Sequence, residues 1–74
     1  MSAHATARPG TPLTLREREC LSLAAEGLTN AEIAGRLFVS VDTVRTHLFG
    51  AYRRLGAVNR ANAVFLALKQ GVIQ

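Results

Sequence analysis

The chain has 74 residues, 49% of them hydrophobic, and nine Lys and Arg against five Asp and Glu give a formal net charge of +4. That length admits one domain with a modest core, and the basic balance points to a polyanionic partner. A single cysteine, Cys20, excludes an internal disulfide and, with only His4 and His47 beside it, a zinc site; no apolar run nears the roughly 20 residues that cross a bilayer, and no basic-then-apolar leader opens the chain. The expected compartment is the cytoplasm, without membrane, metal or cofactor.

Residues 1–12 combine small residues with Pro9, Gly10 and Pro12 and can bury little, so they read as a disordered tail or the remnant of a linker. His4 has no assigned role there. The folded domain is expected over 13–74.

Thr14 and Glu17 form a capping box, with Leu13 before it as a hydrophobic staple. The helix they open is expected to run to about Glu26 and to bury Cys20, Leu21 and Ala24, a line that Leu28 continues. Gly27 supplies the left-handed C-cap. Cys20 is then a small buried hydrophobe, since no basic neighbour or resolving cysteine would activate it. Arg16, Arg18 and Glu19 read as solvated charges, and Glu17 as engaged at the cap.

The chain is organised around residues 29–48. Thr29 and Glu32 make a second capping box, and Ile33, Ala34 and Leu37 put one apolar stripe on a short helix. Phe38 and Val39 break that register. Ser40 caps a longer helix on which Val41, Val44, Leu48, Ala51 and Leu55 recur at helical spacing. Ala34 is small enough to let the two helices cross closely, and Val44 fills the space between them. A short helix, a three-residue turn and a longer helix match the helix-turn-helix, whose second helix enters the DNA major groove.

The opposite face of that longer helix carries Asp42, Arg45, Thr46, Phe49 and Arg53 at i, i+3, i+4, i+7 and i+11. Arg45 can make the bidentate contact to guanine O6 and N7, and Thr46 and Phe49 can meet a thymine methyl. The competing reading is a solvated face with Phe49 tucked into the core. The charge distribution favours DNA: residues 1–35 balance to −1 and residues 36–74 to +5. His47, between the two faces, reads as a packing or hydrogen-bonding residue, with base reading as the alternative.

Gly56 ends the third helix, and Asn59 caps a fourth over Arg60 to Gln70, closed by Gly71. This helix is apolar nearly all round. Ala63, Val64, Ala67 and Leu68 can face the core, which leaves Phe65 and Leu66 pointing elsewhere and suggests a homodimer contact. The alternative folds Phe65 back over the first helix. Nothing assembles a catalytic site: there is no serine, histidine and acid set, no carboxylate pair in a cleft and no phosphate-binding glycine loop.

Leu13 to Glu19, Gly27 to Ala34, Ser40 to His47, Arg54-Leu55-Gly56 and Arg60 to Val64, in this order and spacing, resemble the LuxR-type DNA-binding domain, which is also the effector domain of NarL/FixJ response regulators. The resemblance covers residues 13 to about 70. It implies an all-α, four-helix helix-turn-helix fold, sequence-specific binding of double-stranded DNA as a dimer through the fourth helix, and bacterial transcription regulation. By position it implies base reading by Arg45, Thr46 and Phe49, and phosphate contacts by Thr29, Asn30, Ser40 and Thr43, with Arg53 and Arg54 adding charge. Phe49 and Gly50 stand where the family usually has polar or basic residues, Ala51 where a large aliphatic is common, leaving space for Tyr52, and Ala57 where valine is usual. Most members carry a receiver or sensor domain ahead of this one, so the chain reads as an output domain or a single-domain regulator. Two other readings share its features: a protein-interaction module using the fourth helix without touching DNA, and a promoter-reading sigma-factor domain dependent on RNA polymerase.

Overall fold

The computed structural model describes residues 12–74, so of the tail expected over 1–12 all but Pro12, His4 included, lies outside the described residues. Four helices follow one another: α1 (Leu15–Ala25), α2 (Asn30–Leu37), α3 (Val41–Leu55) and α4 (Arg60–Lys69), with no strand among the described residues. None of these helices is long and apolar enough to cross a membrane.

Each helix starts where a side chain satisfies its free N–H groups. Both capping boxes form: Thr14 Oγ1 accepts from the Glu17 amide at 3.2 Å while Glu17 Oε1 accepts from Thr14 at 2.9 Å, and Thr29 and Glu32 repeat the exchange. Hydrogen bonds from the Thr29 backbone and hydroxyl hold the exposed Glu32 carboxyl below its ordinary range. Ser40 caps α3 through the Thr43 amide, and Asn59 caps α4 through the Asn62 amide. Such a cap contributes about 1 kcal/mol.

The four helices also end alike. The amides of Leu28, Val39, Ala57 and Val72 each reach back to the carbonyl five residues earlier, which needs a left-handed residue just before them. Gly27, Gly56 and Gly71 provide it at three ends, but at the end of α2 it is Phe38, at φ 60° and 93% exposed. A non-glycine residue in that region costs about 1–2 kcal/mol. Leu37 and Val39 pack against the core on either side of it, so the tight turn holds Phe38 in water.

α3 packs against all three other helices. Its inner side, Val44, Leu48, Ala51 and Leu55, is buried among Cys20, Leu21 and Ala24 of α1, Ile33 and Ala34 of α2, and Ala63 and Ala67 of α4. Burial pushes the Cys20 thiol up from its ordinary pKa, the direction that suppresses thiolate chemistry. Tyr52 packs half-buried against the core beside Ala51.

Two expectations about the core need correction. Val41, expected in the inward stripe, is exposed because it opens α3, where no second element covers it. Leu66 is half-buried against the core, whereas Leu68 is 48% exposed; the two exchange the roles expected of them. The glycine turn after α4 also folds the C-terminus back, so that Ile73 completes the core.

Candidate nucleic-acid interface

The outer face of α3 stands clear of the fold as the 3.6-residue period requires. Asp42, Arg45, Thr46, Phe49 and Arg53 are all exposed, while the stripe opposite them from Val44 to Leu55 is buried. Helix α3 is therefore anchored along one side and presents an uninterrupted row of side chains along the other.

Each side chain on that row has a defined state. Arg45 pairs loosely with Asp42, Nη1 to Oδ1 at 3.4 Å, both largely in water; such exposed pairs are worth well under about 1 kcal/mol, so the guanidinium is free to leave. Thr46 donates its hydroxyl to the Asp42 carbonyl at 3.0 Å, which commits the hydroxyl proton and leaves its methyl and the oxygen's lone pairs to offer. Phe49 is 62% exposed and meets the ring of Tyr52 edge-on at 6.1 Å, rather than entering the core. With Tyr52, Arg53, Ala57 and Val58 it borders an open groove of about 450 Å³.

Of the six residues expected at phosphates, Thr29, Ser40 and Arg53 are exposed, and Asn30 and Thr43 are half-exposed at the first turns of α2 and α3. Ser40 Oγ and Thr43 Oγ1 lie 2.9 Å apart, a hydroxyl pair at the start of α3. The free N–H groups and the positive end of the helix dipole add to the anion-attracting character of such a site.

Arg54 is not part of this surface. Its side chain is 16% exposed, and its Nε sits 2.9 Å from Oε1 of Glu17, also donating to Oε2 at 3.2 Å. The expected phosphate charge is spent inside the fold, because α1 brings a buried carboxylate against the back of α3. Gly50 makes that approach possible: a Cβ at this position would overlap the Glu17 carboxylate. A glycine within a long helix costs about 1 kcal/mol relative to alanine, and this was the signal in the sequence for a close contact there. Glu17 thus joins three tasks, the N-terminal cap, the ion pair and the packing over Gly50.

A second arginine is also internal. Arg60, at the first position of α4, donates through Nη1 to Oδ1 of Asn30 at 2.6 Å and through Nη2 to the carbonyl of Leu28. It lies against the Tyr52 hydroxyl, whose pKa is raised by burial and drawn back down by the Arg60 charge. The basic half of the chain therefore offers the solvent Arg36, Arg45, Arg53 and Lys69, with Arg54 and Arg60 held as cross-links.

Comparison with known proteins gives a consistent result. The family described as bacterial regulatory proteins, luxR family, matches residues 11–67. Transcriptional activator protein BjaR1 of Bradyrhizobium diazoefficiens is 46% identical over 68 residues, which make up 92% of this chain and 28% of BjaR1. Spore germination protein GerE of Bacillus subtilis is 42% identical over 62 residues, 84% of either chain. The solved structure of transcription factor GerE superposes with a TM-score of 0.81 at 31% identity, covering 86% of this chain and 96% of that one. The chain thus spans under a third of BjaR1 but most of GerE.

Proposed function

Because the chain belongs to the luxR family of bacterial regulatory proteins, we propose that it lays α3 in the major groove of duplex DNA and regulates transcription from the nucleoid, as half of a symmetric dimer and without catalysis. The observation that carries this reading is the exposed row Arg45, Thr46, Phe49 and Arg53 on a helix whose other side is buried throughout. Arg45 is the guanine reader, and the Thr46 methyl and the Phe49 ring suit thymine methyls. Thr29, Asn30, Ser40 and Thr43 set the register on the phosphates, with Arg53 adding charge.

For the dimer the structure favours a revised surface. Ala61, Phe65 and Leu68, spaced i, i+4 and i+7, line one exposed side of α4, and Lys69 Nζ lies 5.9 Å from the centre of the Phe65 ring. Phe65 is 59% exposed. Covering the remaining area of Phe65 and Leu68 recovers about 1 kcal/mol each before the cost of association. A weak dimer completed on DNA is the expected state. Charging this stripe by Phe65→Glu with Leu68→Glu is expected to leave the fold and half-site binding intact and to remove cooperative binding to a full site. Equal cooperativity in the variant and the parent, measured by titrating a two-half-site duplex, would rule out α4 as the contact. Leu66→Glu is a poorer test, since Leu66 also packs on the core.

Selection of genomic DNA fragments with the purified chain tests the whole reading. A reproducible inverted repeat is expected, its half-site centres about 10 base pairs apart, with affinity falling steeply as salt rises. Recovery of fragments with no shared sequence would overturn sequence-specific binding. A contact made by the apolar side of α4 on a protein would show little dependence on salt.

A further inference from the structure

We propose that Arg60 is a positioning residue for the DNA backbone: it fixes the amide of Asn30 so that Asn30 turns its N–H donors to a phosphate. This rests on the reading of Asn30 as a phosphate contact and assigns the group that makes it effective. Arg60 lies 30 residues along the chain from Asn30, on another helix, and its fork closes on two acceptors that flank the N-cap Thr29, the Leu28 carbonyl before it and Asn30 Oδ1 after it.

The chemistry of the two side chains determines the orientation. A guanidinium has five N–H donors and no acceptor, so only the carbonyl oxygen of the Asn30 amide can face it. The amide nitrogen, with both its hydrogens, is then on the branch away from Arg60. A phosphate oxygen is an acceptor, and the reversed amide would offer it an oxygen while setting N–H against N–H at Arg60. Without Arg60 the amide is free to turn over, and half of its orientations oppose the phosphate. Lysine cannot replace the fork, because a single ammonium does not span two acceptors in fixed planar geometry. Val58 and Asn62 tie the preceding loop to the first turn of α4 through Val58 N–H and Asn62 Oδ1, 3.0 Å apart, which steadies the helix end from which Arg60 reaches.

The test is a double-mutant cycle on a labelled mixed-sequence duplex, because a phosphate contact is independent of base sequence, with thermal unfolding followed in parallel. Asn30→Ala is expected to weaken binding about tenfold or more, the size of one hydrogen bond to a charged acceptor. Arg60→Lys, which keeps the charge, is expected to weaken binding about twofold when Asn30 is present, the share of amide orientations lost, and to have no further effect in the Asn30→Ala background. Asn30→Asp keeps an acceptor for Arg60 and removes the donors, so it is expected to fold as stably as the parent and to bind more weakly than Asn30→Ala. Arg60→Lys losing the same factor in both backgrounds overturns the positioning role, as does Asn30→Asp binding like the parent. Asn30→Ala binding like the parent overturns the underlying phosphate reading itself, a different result from the first two.

Discussion

Glu17→Ala is expected to lower the stability of the fold by about 3–5 kcal/mol, the cost of removing one member of a buried ion pair and leaving the other unpaired. The Glu17 side chain is only 8% exposed, and its carboxylate receives the Thr14 amide and Arg54 Nε together. Taking it away orphans a largely buried guanidinium, opens one half of the α1 capping box and leaves a void over Gly50. Domains of this size have little stability in reserve, so a large unfolded fraction at 25 °C is the expected outcome, read from urea or thermal denaturation by circular dichroism. Glu17→Gln keeps an acceptor for both partners and should cost less. The pair is shown by the cycle: Arg54→Met is expected to cost much less in the Glu17→Leu background than in the parent, because no buried charge is then left alone. Losses that simply add would mean that Arg54 and Glu17 do not depend on each other.

Arg45→Ala is expected to abolish discrimination between the selected site and mixed-sequence DNA. On the proposed reading, a bidentate guanine contact worth roughly 1–3 kcal/mol is lost at both half-sites of the proposed dimer, so the ratio of the two affinities should fall by a factor between about 30 and 10⁴. The exposed pair with Asp42 costs little to release, so the native arginine sacrifices little of this in reaching a base. Stability should be unchanged. Equal losses on the selected site and on mixed-sequence DNA, with a shallower salt dependence, would make Arg45 a phosphate contact instead.

Both predictions concern arginines, and the two were legible to different degrees. Arg45 could be placed from the sequence because its side of α3 is set by the apolar stripe on the other side, a local periodicity. Arg54 sits one helical turn past Gly50, and its partner lies 37 residues away on α1. No spacing along the chain shows whether such a residue faces water or a buried carboxylate. Arg60 is the same case, with partners 30 and 32 residues away. The net charge of the basic half therefore overstates what reaches the surface.

On α4 the limit was of another kind. On a helix apolar nearly all round, Leu66 and Leu68 are equally suited to the core by character, so their exchange was settled by how Ala63 and Ala67 fit against the rest of the core. By itself the sequence determined the four helices, their N-caps, the three glycine C-caps and the face that α3 presents, because capping boxes, left-handed glycines and the 3.6-residue stripe all act over a few neighbouring residues; the left-handed Phe38 that ends α2 was not among them. Only the tertiary structure decided which charges became cross-links, which side of α4 stayed exposed and that Ile73 returned to the core, because each depends on groups that folding alone brings together.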